Sequence, residues 1–282
     1  MKIPFTPLKY LGICALALLL ATTGCNCHEE VPGCTDPAAL NYNPLATLDI
    51  GYCTYLEGSE IHIAYDVVWD GSPYEVGESA PDVQGRPVQL ERLECYVSDF
   101  AIHDVDEGWL PIDTVARIDF SKDDAHAVLT IPGEGDRTID GLRMGLGVPE
   151  DRNTDVDPGS YTDPDHPLGY TGSAGLHWGW AAGYIFSVYE GRLLTEPNTP
   201  FTYHAGSDLT FRSTELIWEE PWLLEYGSPD HNITLVLDAY ECLHGVNDTI
   251  DPEIDPETHT GNNLPLAIRW VDLYQNAWSI QP

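Results

Sequence analysis

Residues Gly175–Gly191 read GLHWGWAAGYIFSVYEG, and this stretch decides the fold class. Two tryptophans, a histidine, two tyrosines and a phenylalanine fall within seventeen residues punctuated by glycine. In an extended chain Trp178, Trp180, Tyr184, Phe186 and Val188 share one parity and lie on one side, while His177 points the other way. Alternating large aromatics suit a pleated, half-buried surface. Trp178 to Tyr189 is therefore expected to form a central strand with its aromatic row in the core.

The same pattern continues outward. Short alternating or apolar runs are separated by Gly, Pro, Asp and Asn, giving candidate strands at Ile61–Trp69, Val88–Ile102, Thr114–Phe120, His126–Ile131, Thr138–Val148, Leu209–Trp218, Asn232–Glu241 and Pro265–Leu273. No long segment repeats apolar residues at helical spacing. The expected fold is all-β, a β-sandwich or partly open barrel. Three long acidic loops interrupt it: Asp70–Pro87, Glu150–Gly172 and Val246–Asn263.

The amino terminus reads as an export signal. Lys2 and Lys9 precede an apolar run from Leu11 to Ala21, followed by Thr22-Thr23-Gly24-Cys25. The run is short for a membrane span. Cysteine after Thr-Gly resembles a lipobox, which makes Cys25 a lipid-bearing first residue; an ordinary signal peptide cut nearby is the alternative. The expected organisation is a signal peptide at 1–24, a lipid tether with a small disulfide motif at 25–57, and a β domain at 58–282. Removing the signal leaves 12 − 2 = 10 basic against 46 acidic residues, a balance of −36. Such a field repels nucleic acid and anionic lipid surfaces, so the membrane is met only through the lipid.

Several pieces resemble the MbnP-like family, relatives of methanobactin-associated periplasmic copper-binding proteins. The opening segment resembles its GM-x-W-x-W-x-x-GY-x-F-x-x-x-EG signature, with Leu176 in place of the Met. IHIAYDVVW (Ile61–Trp69), LECYVSDFAI (Leu93–Ile102), RIDF (Arg117–Phe120), GLRMGLGVPEDRN (Gly141–Asn153), FTYHAG (Phe201–Gly206) and ITLVLDAYECLHG (Ile233–Gly245) follow in the family's order. The resemblance implies copper held by histidines, His62 and His204 by position and His177 as a further candidate. It also implies Trp178 and Trp180 as neighbours open to oxidation to kynurenine. A separate piece, GCTDPAALNYNPLATLDIGYC (Gly33–Cys53), resembles a short unit of secreted Bacteroidetes proteins and implies a Cys34–Cys53 bridge. Such a bridge would contribute ~3 kcal/mol by chain entropy. Cys95 and Cys242 are left either as a pair or as two buried thiols.

Imidazole nitrogen beside a π-rich ring suits Cu(I), whereas the aspartates of the acidic loops suit Ca²⁺. No Gly-x-Ser-x-Gly, His-Glu-x-x-His or phosphate-cradling loop occurs, so no enzyme is expected. The leading expectation is an outer-membrane lipoprotein, periplasmic or surface-exposed. It would bind copper for uptake, storage or handover, with an outer-membrane transporter as a candidate partner. The alternatives are a metal-free surface module whose aromatic groove takes a protein or glycan, and a calcium-stabilised surface protein.

Overall fold

The computed structural model describes residues 30–281 except 38, 40, 50, 54–58, 123–125, 132–134, 180–181 and 228–230. The expected signal, Cys25 and Trp180 thus lie outside the described residues. The chain divides into two compact units, Met1–Thr54 and Tyr55–Pro282. In the small unit Cys34 and Cys53 form a disulfide across a Cα–Cα distance of 5.1 Å. Pro32–Gly33 pairs in parallel with Leu48–Asp49, and the Asn41 amide donates to the Tyr52 carbonyl. Among its described residues few apolar side chains are buried, so the covalent link and the turns hold this segment.

The larger unit contains β1 (Ser59–Trp69), β2 (Pro87–Asp104), β3 (Gly108–Asp119), β4 (His126–Ile131), β5 (Arg137–Leu146), β6 (Ser187–Leu193), β7 (Thr199–Ala205), β8 (Arg212–Leu224), β9 (His231–Asp238), β10 (Glu257–His259), α1 (Leu264–Asn276) and β11 (Trp278–Gln281). One sheet runs β8-β5-β2-β6-β7-β10, with β3 and Ser79–Pro81 on the other edge of β2. The second runs β11-β9-β1, with β4 and Ser72–Pro73 along the far edge of β1. Neither closes into a barrel, and the fold is an all-β sandwich.

Period-2 alternation builds the core. Ile61, Ile63 and Tyr65 of β1 and Leu235 and Leu237 of β9 face Val88 and Leu90 of β2, Tyr189 of β6, and Phe201 and Tyr203 of β7. The long strand β2 binds two partners in succession on one edge. The Tyr96 N–H donates to the Phe186 carbonyl, and the Tyr96 carbonyl accepts from the Gly147 N–H. On this edge β5 therefore ends where β6 begins. The excursion between them builds a second, smaller core from Tyr96, Val148, Leu168, Leu176, Tyr184, Phe186 and Val188.

Two sequence expectations are corrected. Pro265–Leu273 is not a strand but most of α1. Buried residues recur at Leu266, Ala267, Trp270, Val271 and Tyr274, a helical stripe. Asn263 caps the helix by accepting from the Leu266 N–H, and Pro265 sits harmlessly in the first turn. A short apolar run reads equally as strand or helix, and only the cap separates them. Trp178 to Tyr189 is also not one strand. His177–Gly179 folds back on Gly183–Tyr184 as a small hairpin, and Ser187–Leu193 alone is central, between β2 and β7. Gly179 (φ 121°) and Gly183 (φ 73°) adopt positive φ, which breaks the parity on which a single aromatic row depended.

His244 is buried, and neither ring nitrogen has a hydrogen-bond partner among the described residues. It packs on Tyr240 and lies near Asp82, Arg86 and Asp251; burial lowers its pKa. The unfolded ring takes a proton below about pH 6.5, and the folded ring takes it only at lower pH. This contribution to stability is full above that value and is lost as pH falls toward the folded pKa. Denaturant titrations between about pH 7 and 5 should give a shallower acid slope for His244→Phe than for the parent. Parallel slopes would refute the assignment.

Candidate metal centre

The sheet places His204 and His259 side by side. β10 adds to β7 in parallel, with His204 and His259 as register partners. Register partners project to the same face. Phe201, Tyr203 and Ala205 take the core side, so His204 takes the outer side of the large sheet. Its Nδ1 lies 3.0 Å from Nδ1 of His259. Each Nε2 is turned toward a carboxylate: His204 toward Glu190 at 2.7 Å, and His259 toward Glu257 at 3.7 Å. Glu190 reaches His204 because Val188 is the register partner of His204, so Glu190 lies diagonally across the same face. The Glu190 bond fixes the tautomer of His204 with its proton on Nε2, leaving the Nδ1 lone pair directed at His259.

The surroundings hold both rings. The Thr260 hydroxyl donates to the His204 carbonyl and accepts from the Gly206 N–H. The His259 N–H donates to the Asn262 side chain. Thr260 adopts φ 57°, which a threonine rarely does, so this turn is held by its bonds rather than by preference. His204 is 9% exposed, and burial outweighs Glu190 in setting its pKa below the ordinary value. Behind Glu190 the polar row continues inward across the sheet. Arg92 stands opposite Glu190 and binds Glu94, which also receives Arg117.

Trp178 borders the same place. It lines a cleft of about 450 Å³ with His259, Ser207, Asp208 and Thr260. A Cβ on Gly206 would lie 2.6 Å from Trp178 Cζ3 and 2.5 Å from the Tyr184 carbonyl oxygen, so glycine alone lets the indole settle here. Asn153, fully buried, ties the Trp178 hairpin down. Its Oδ1 accepts from the Tyr184 N–H at 2.9 Å and its Nδ2 donates to Asp208 at 2.8 Å.

The expected His62–His204 pair is not formed. His62 stands on β1 in the second sheet, between the core-facing Ile61 and Ile63, with its side chain 40% exposed and turned toward Glu60. The two histidines point out of opposite faces of the sandwich. His177 packs edge-on against Tyr184, with its Nε2 buried and unpartnered. His259 is the residue that sequence reasoning missed. It sits in ETHT, at the end of an acidic run read as a long solvated loop whose aspartates would also suit Ca²⁺. The flanking threonines were its only strand signal. That run's carboxylates are engaged elsewhere: Asp248 and Asp255 with Arg269, Asp251 and Glu253 with Arg86. Among the described residues no group of three or more His, Cys, Asp or Glu is arranged around a metal position, so the centre offers two nitrogens.

Replacing Asn153 by Ala leaves the Tyr184 N–H and Asp208 without their buried partner and should cost about 2 kcal/mol of stability. Gly206→Ala drives a Cβ into the Tyr184 carbonyl as well as the indole, so it should cost at least as much stability and displace the indole, seen as a change in tryptophan emission that is absent in a Trp178→Phe background. Unaltered emission would show that the indole does not rest on Gly206.

The MbnP family model matches residues 58–260. Among solved structures, MbnP from Methylosinus trichosporium aligns at 15% identity with a TM-score of 0.45, over 68% of this chain and 79% of that one. No curated protein matches the chain. The family match spans well over half of the sequence and takes in β1 to β10, with His204 and His259 both inside it, and on that ground the chain belongs to the MbnP family.

Proposed function

We propose that this protein is an exported lipoprotein that binds a transition metal, copper first, through Nδ1 of His204 and Nδ1 of His259. The observation that carries the reading is the opposed pair of Nδ1 atoms at 3.0 Å with each Nε2 aimed at a carboxylate. Two nitrogens each ~2.0 Å from one ion lie within about 4 Å of each other, and the pair meets that limit. Glu190, bonded to Nε2 of His204, would serve as the outer carboxylate that orients a ligating imidazole. Two soft nitrogens beside an indole suit Cu(I) better than Ca²⁺, which takes six to eight oxygens. Trp178 closes one side and is the ring exposed to any oxidation at the centre. The task assigned is uptake, storage or handover, with no catalytic residue. Cys25 provides the anchor in the outer membrane, and a transporter there is the proposed recipient.

The double variant His204→Ala/His259→Ala should stay folded and lose at least 100-fold in Cu(I) affinity, measured against a chromophoric competitor. His62→Ala should bind as the parent does. Glu190→Gln should weaken binding about 10- to 100-fold. Because burial holds His204 below its ordinary pKa, protons should displace copper only well under about pH 6.5. Equal affinities for the parent and the double variant would end the reading.

A further inference from the structure

The outer face of the large sheet carries a second cleft, which shares no lining residue with the one beside the histidine pair. Its volume is about 590 Å³, within the range of small-molecule sites. A β-bulge supplies its first side chain. The pairing of β2 with β3 passes from Ser98 to Phe100, and that with β5 from Ser98 to Ala101, so Asp99 belongs to neither ladder. Its φ is 45°, and the bulge turns its carboxylate to Arg152, 3.1 Å away. Arg152, in the helical turn Glu150–Asn153, also reaches Asp113 of β3 at 3.0 Å. Arg143 of β5 lines the same cleft, 4.8 Å over the Trp109 ring and 3.5 Å from Glu215. Phe211 lies across Gly145, where a Cβ would come within 2.6 Å of Phe211 Cζ, and its ring meets Phe186 edge-on at 6.3 Å. Ser98 is the register partner of Gly145, and its hydroxyl, buried beside that glycine, has no hydrogen-bond partner among the described residues.

These groups select a class of ligand. The aspartates offer acceptors, and the guanidinium groups of Arg143 and Arg152 offer donors, to the same space. A cation could use only the acceptors, and would have to displace Arg152, which the chain itself holds in place. An anion could use only the donors, against the field of a strongly acidic chain. A hydroxyl uses both, since it donates once and accepts twice. Phe211, Pro111 and Ile112 add an apolar patch for C–H groups. We propose that this cleft binds the terminal ring of a neutral glycan, with its hydroxyls bridging Asp99, Arg143 and Arg152 and its C–H face resting on Phe211. The rim is open at Asp113 and Asp151, whose side chains are 86% and 82% exposed, so the ring enters while attached to a longer chain. The inference does not depend on the copper reading.

The test is saturation-transfer difference NMR of the full chain with methyl glycosides and disaccharides of glucose, galactose and mannose. The expected result is millimolar binding in at least one of these series, with the strongest transfer to ring C–H protons and the disaccharide bound at least as well as the methyl glycoside. Asp99→Asn keeps a residue that tolerates positive φ but replaces a charged acceptor by a neutral one, and Arg143→Met keeps the stem over Trp109 but removes the donors. Each should weaken binding about tenfold, the difference one charge-assisted hydrogen bond makes. Phe211→Leu should weaken it too, through loss of the ring face. His204→Ala/His259→Ala should bind the sugar as the parent does, and loss of binding there would move the site to the other cleft and overturn the proposal. No transfer to any of these sugars would overturn it, as would parental affinity in both Asp99→Asn and Arg143→Met. Binding of a methyl glycoside with rejection of its disaccharide would overturn the chain-end assignment. A tetra-arginine peptide that binds the parent and not Asp99→Asn, with no sugar bound, would give the cleft to a basic protein segment instead.

Discussion

The shared edge of β2 governs this molecule. An 18-residue strand, Pro87–Asp104, offers one edge to β6 along its first half and to β5 along its second, with the changeover at Tyr96. Two strands cannot occupy one edge in succession without the chain between them leaving the sheet. That departure is the Val148–Phe186 excursion, which returns its apolar side chains over the outer face as the second core. It also brings the Trp178 hairpin over Gly206 and next to β10. The candidate centre therefore lies on the outer face of a sandwich, where a simple two-layer fold would be wet and flat. His204 is nonetheless buried there, and that burial lowers its pKa.

Much of the fold could be read from the chain, because strands bury alternate residues and the alternation survives in the sequence. β1, β2, β4 and β5 fall where the apolar runs put them. α1 was hidden because its stripe is short and lies in a run that also alternates. The Trp178 segment was misread for a different reason: positive φ at Gly179 and Gly183 cancels parity, and a glycine in a sequence does not announce the sign of its φ. The site was half legible. His204 came from family position. His259 did not, because β10 is three residues long and its pairing with β7 spans more than fifty residues of sequence, a contact that no local pattern encodes. His62 looked equivalent only while the two sheets could not be told apart.

Charge explains how so polar a segment as the one carrying β10 stays in place. The described residues contain ten cations, nine arginines and Lys122, against a large excess of carboxylates. Each of the ten forms an ion pair. Two of them, Arg86 and Arg269, hold four carboxylates of the loop that ends in His259. Individual surface pairs contribute little. Guanidinium forks that each bind two carboxylates also fix geometry, which a lysine would not do.

That geometry matters because β10 has almost nothing else to fix it. Three residues of parallel pairing at a sheet edge are a weak attachment. His259 must nevertheless be placed to within a few tenths of an ångström if its Nδ1 is to share an ion with His204. The arginine forks restrain the loop upstream, the Thr260 and Asn262 bonds lock the turn downstream, and Glu190 orients the His204 ring against which His259 lies. On the copper reading, a ligand already ordered would lose no conformational freedom on binding. On the same proposed reading, preorganisation in a chain this acidic would also serve selectivity. Carboxylates already bound to arginine offer little to a hard cation, and the two imidazole nitrogens are left as the donors that a soft ion can use.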